Sequence, residues 1–133
     1  MSSALDDVDQ RSAITEGDVL NPVEVEKAIL QTEARITRGV RVVSEQYEKF
    51  LTADREFDVA YSKAYRGADG TIEDRKHEAI IATEKLRQKR DDAEVLFKYA
   101  DRQAKALQET LRAFQSVGAS VRTMYGVAGR GDR

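Results

Sequence analysis

From Ile29 an apolar residue returns at every seventh position: Ile29, Ile36, Val43, Phe50, Phe57 and Ala64. After a break a second row reads Ile72, Ala79, Leu86, Ala93, Ala100, Leu107, Phe114 and Val121. Neighbours three or four residues away thicken both rows. They are Val25, Val40, Tyr47, Ala53, Ala60 and Tyr61 in the first, and Ala82, Leu96, Phe97, Ala104, Leu111, Val117 and Tyr125 in the second. A seven-residue repeat held over this many turns predicts two long helices that supercoil left-handedly about one another. The expected class is therefore all-α, as a long antiparallel two-helix coiled-coil hairpin.

Local signals place the boundaries. Asn21-Pro22-Val23-Glu24 combines a favoured N-cap, a proline at the first helical position and a carboxylate at the third. The first helix is expected over 22–65, the turn Arg66-Gly67-Ala68-Asp69-Gly70 over 66–70, and a second helix capped by Thr71 over 71–118 or to 125. Residues 1–20, acidic with scattered apolar positions, are expected to form a flexible arm. Residues 126–133 form a Gly/Arg tail expected to fray. Each helix would be about 65–70 Å long.

The short turn forces the helices antiparallel and pairs Ala64 with Ile72, Phe57 with Ala79, Phe50 with Leu86, and Ile29 with Leu107. Phe114 then faces Pro22, and Val117, Val121, Met124 and Tyr125 overhang the end. These four are the candidate contacts with a partner or a second copy. Leu30, Val42, Leu51, Val59, Ile81 and Val95 also lie off the seam. A lone hairpin exposes half of each seam side chain, so the pattern predicts a three- or four-helix bundle, completed by self-association or by another protein.

Composition narrows the chemistry. The 133 residues are 35% charged and 41% hydrophobic, with 8 Gly and 1 Pro, too few turn formers for a β-sandwich. No apolar run is long enough to span a membrane, and the first residues lack the pattern of a signal peptide, so no membrane role and a cytoplasmic location are expected. Without cysteine there is no thiolate chemistry, and one histidine cannot build a His-rich metal site. His77 follows Asp74 by three residues where a di-iron bundle needs Glu-x-x-His. Glu33, Asp54, Thr83 and Arg90 flank the seam, where polar residues fix register. No nucleophile and base come together, so no enzyme activity, catalytic residue, cofactor, metal or small-molecule substrate is expected.

The net charge of −2 conceals an asymmetry. Residues 1–24 hold six acids against Arg11, residues 111–133 hold four arginines against Asp132, and the body between is balanced. The densest basic run, Lys85, Arg87, Lys89 and Arg90, is followed at once by Asp91, Asp92 and Glu94. Arg122, Arg130 and Arg133, near a Gly-rich end, are weak nucleic-acid candidates whose binding would be non-specific and salt-sensitive. Tyr47, Phe50, Phe57, Tyr61 and Tyr65 make an aromatic ridge, but Phe50 and Phe57 sit on the seam row, which points to packing instead of base stacking.

Tyr61-Ser-Lys-Ala-Tyr65, the Gly-containing turn with Thr71, Ala82-Thr-Glu-Lys-Leu86 and Ala106-Leu-Gln-Glu-Thr-Leu-Arg-Ala-Phe-Gln-Ser116 form a further pattern. Over about residues 25–122 it resembles the small helical coiled-coil proteins of actinobacterial tailed phages and prophages. That resemblance carries no catalytic signature and no functional residue. It implies an accessory or adaptor protein acting through protein–protein contacts, in recombination or replication. Two alternatives follow: a virion assembly or structural component such as a scaffolding or connector protein, and a small inhibitor of a host or defence complex. The chain is also similar in size and architecture to WXG-type secreted helical hairpins. It has Arg66-Gly67 where those carry Trp-x-Gly, and no tryptophan anywhere.

Overall fold

A computed structural model describes residues 21–131. The described chain is all-helical: α1 is Pro22–Gly67, α2 is Ile72–Ala82 and α3 is Glu84–Gly131. No strand occurs among the described residues. The expected arm over 1–20 lies outside them, as do the last two residues of the expected tail.

The caps form where the residue types require them. Asn21 Oδ1 accepts from the Glu24 amide at 2.9 Å, satisfying one of the orphan donors that open α1. Gly70 turns the chain at φ 107°, a left-handed conformation that favours glycine. Thr71 then opens α2 with a reciprocal capping box. The Asp74 amide donates to Thr71 Oγ1 and the Thr71 amide donates to Asp74 Oδ2, both at 3.1 Å.

The second long helix departs from expectation at both ends. It is interrupted at Thr83, where φ −110° and ψ 13° leave the helical region and divide α2 from α3. The hydrogen-bond ladder survives the break, since the Thr83 amide still donates to the Ala79 carbonyl and the Arg87 amide to that of Thr83. The Thr83 hydroxyl also back-bonds to Ala79 at 2.7 Å, a contact that bends helices. Thr32 makes the same bond to Ala28 without interrupting α1. The hydroxyl alone therefore does not make the break; Thr83 and Ala79, both buried, also anchor α2 within its unit. At the other end α3 continues to Gly131, past the expected stop at 118 or 125.

Two compact units divide these helices: Ile36–Ala106, and the segments on either side of it. Within Ile36–Ala106, Phe50 stacks on Phe97 with ring centroids 6.4 Å apart, and the Arg90 guanidinium lies 4.5 Å above the Phe57 ring. The expected partners Leu86 and Ala79 are therefore replaced by residues about eleven positions further along. Ile72, expected against Ala64, is 64% exposed. The separate 11-residue α2 lies between α1 and α3, and these pairings with α1 fall on α3. In the flanking unit, a Cβ added at Gly118 would come within 3.1 Å of Val25 Cγ1 and 3.7 Å of Ile29 Cδ1.

Both heptad rows read from the sequence stay at least partly covered, apart from Ile72. The accompanying rows match the expected ones in part: Val25, Ala53, Ala60, Phe97, Ala104 and Leu111 are covered as expected. In α1 the second row is Val25, Thr32, Gly39, Gln46, Ala53 and Ala60; beyond α2 it is Thr83, Arg90, Phe97, Ala104, Leu111 and Gly118. Val40 and Leu96, expected beside the seam, are exposed.

Candidate interaction surfaces

In the unit that flanks Ile36–Ala106, the four expected contact residues separate into two pairs. Val121 is 4% exposed and Val117 is half-buried, so neither overhangs; they belong to the packing that brings Gly118 onto Val25 and Ile29. The reason is the shifted register, which covers about one more heptad and a half of the second helix than the expected pairing did. Met124 and Tyr125 are exposed, as are Val23 and Leu30 in the same unit. Arg122 is exposed, Arg130 lies in the last turn of α3, and Arg133 lies outside the described residues.

The unit Ile36–Ala106 has two unlike rims along its seam. On one, Tyr47 packs its ring 4.9 Å from Phe97, Tyr61 packs 6.1 Å from Phe57, and Arg90 covers Phe57 while pairing with Asp54 at 3.7 Å and Asp91 at 3.4 Å. The Arg90 side chain is 24% exposed, so its stem and its charge are both used in sealing this rim. The other rim carries one ion pair, Lys89 Nζ to Glu56 Oε2 at 3.0 Å. Beside that pair an open groove has Val59, Ala60 and Leu86 as its apolar floor and Arg55 and Lys63 at its margin.

Within the basic run, Lys89 and Arg90 are both engaged with carboxylates. Aromatics of the expected ridge are spent on packing too. Among the described residues no group of three or more His, Asp or Glu is placed to hold a metal ion. The Thr32, Thr83 and Thr123 hydroxyls each donate to a carbonyl four residues back. Among the described residues, Asp74 is the titratable group that departs from its ordinary value. The Thr71 amide, then the Thr71 hydroxyl, hold its carboxyl below 3.8, with a smaller attraction from His77. This is the chemistry of a helix cap, and His77 itself is exposed. Among the described residues no helix is long and apolar enough to cross a membrane.

Five of the six residues read as lying off the seam, Leu30, Val42, Val59, Ile81 and Val95, are exposed, and Leu51 is half-buried. Leu96 and Tyr99 join them and were not singled out for this role by the sequence, Leu96 because it lies one residue from the true seam position Phe97. No protein-family model matches the chain. No curated protein and no solved structure matches it either.

Proposed function

We propose that the chain is a non-enzymatic interaction protein, an antiparallel helical hairpin that acts by binding a second copy of itself and another protein. One observation carries this reading. Among the described residues, Val25 is the one large side chain less than 2% exposed, whereas fourteen large apolar side chains are at least 43% exposed. A helix pair this thinly covered retains much of its apolar surface for other chains. The antiparallel arrangement is supported by the pairing within Ile36–Ala106. Tyr47 and Phe50 lie on Phe97, Glu56 on Lys89 and Phe57 on Arg90, so one strand of numbers falls as the other rises. The setting proposed for it, an accessory role in phage recombination or replication, rests on the resemblance in pattern.

Light scattering of the purified chain across a concentration series tests the first half of the reading, and tagged-bait purification from phage-infected cells tests the second. Self-association at micromolar concentration and stoichiometric recovery of a replication or recombination protein are expected. A monomer that recovers nothing above an untagged control would defeat the proposal.

A further inference from the structure

We infer that the self-association surface is one rim of the unit Ile36–Ala106, the rim marked by Glu56 and Lys89, and that it takes a second copy of the same rim about a two-fold axis. This rests on the self-association part of the proposed function and assigns it a surface and a partner geometry. The two rims are chemically different. One is closed by Tyr47, Tyr61 and Arg90 lying on the seam aromatics, and the other is left with a single ion pair and an open groove.

Heptad spacing identifies what shares the open rim. One and two heptads before Glu56 stand Lys49 and Val42, and one turn after it stands Val59. One heptad after Lys89 stands Leu96, with Tyr99 a turn further. Val42, Val59, Leu96 and Tyr99 are each 43–55% exposed, so the rim is an apolar stripe crossed by opposite charges.

Those charges specify the occupant. Lys49 and Glu56 lie one heptad apart on the same helix and have opposite sign. A two-fold axis passing between them sets Lys49 of each copy against Glu56 of the other and Val42 against the stem of Lys63, so the Lys49–Glu56 pair is complementary to itself when reversed. The Phe50–Phe97 and Glu56–Lys89 contacts place Leu96 level with residues 49–51, so it lies against the Lys89 stem of the other copy, whereas exposed Thr52, one heptad before Val59 on the same rim, lies midway between Lys49 and Glu56 and therefore against its own counterpart. An unrelated partner would not need this reversal symmetry; a second copy does.

The full chain contains no cysteine, which makes single-cysteine variants informative. Under mild oxidation at micromolar concentration, Thr52→Cys is expected to form a disulfide-linked dimer. Val40→Cys, one heptad before Tyr47 on the closed rim, is expected to form at least about tenfold less. In sedimentation equilibrium, Lys49→Glu is expected to weaken the dimer about tenfold, the scale of two exposed ion pairs lost together. A wild-type dimer that cross-links through Val40→Cys but not Thr52→Cys would overturn the assigned rim and leave self-association standing. A wild-type monomer at about 100 µM would overturn both, since any dimer it formed would bind more weakly than that.

Discussion

Three residues show how unevenly a side chain can matter in a helix of this kind. Gly39 and Gly118 both sit inside long helices, where glycine costs about 0.5–1 kcal/mol relative to alanine. A Cβ on Gly39 meets nothing within 4 Å, so Gly39→Ala is expected to raise stability by about 0.5–1 kcal/mol in urea denaturation. A Cβ on Gly118 would come to 3.1 Å from Val25, and the branched side chain of Gly118→Val is expected to cost about 1–3 kcal/mol in the same assay. Asp74 carries a pH dependence. Its carboxyl is held below 3.8 in the folded chain, so its contribution is present above that value and lost as pH falls through the lowered one. The carboxylate resonance of Asp74 should titrate below 3.8, with amide protection at the start of α2 fading over the same range. A titration at or above 3.8 would exclude the capping bond in solution.

Among the elements, α1 was readable in the sequence from its start, because Asn21 and Pro22 open it, but it runs past the expected end at 65 to Gly67, into the expected turn. The second seam row was readable only in part, at Val25, Ala53, Ala60, Phe97, Ala104 and Leu111. A row containing Thr32, Gly39 and Gln46, facing one with Thr83, Arg90 and Gly118, is too polar and too small to be recognised by its hydrophobicity. Its partner rows were legible only as sevenfold apolar repeats, and a repeat by itself fits several registers. What selects one is a set of long-range pairings such as Arg90 with Asp54 and Phe97 with Phe50, which sequence spacing does not reveal. Arg90→Ala is accordingly expected to cost about 1–2 kcal/mol through lost ring coverage and packing, measured by thermal denaturation. Gln46 marks the opposite case. Its Oε1 is enclosed with no hydrogen-bond donor among the described residues, so Gln46→Leu is expected to stabilise the helix pair by about 1–2 kcal/mol. A destabilised leucine variant would mean that Gln46 has a partner in solution.

For the whole molecule, the expected exclusions and the expected exposure come from different kinds of information. The all-helical class followed from periodicity, and the off-seam apolar residues Val42, Val59 and Val95 were visible because their spacing is wrong for the seam. The candidate contacts Val117 and Val121 were misplaced because their accessibility depended on the register, and that could not be fixed from one chain of letters. If the exposed side chains are covered by a second copy, unfolding is coupled to dissociation. The melting temperature should then rise by several degrees over a hundredfold increase in protein concentration, as read by calorimetry. A melting temperature independent of concentration would separate stability from assembly.

The ion pair between Arg90 and Asp54 has a consequence for how the helices can slide. If the pairing slipped by one heptad, apolar residues would again meet apolar residues, and Arg90 could still find an aromatic ring at Phe50. It could not find a carboxylate on the facing helix, because the positions one heptad before and after Asp54 are Tyr47 and Tyr61, and Lys89 would meet Lys49 or Lys63 in place of Glu56. Asp54 and Glu56 therefore act together as the detent of a ratchet. Replacing both with their amides should cost little stability, yet leave a population of molecules stopped one tooth out of place.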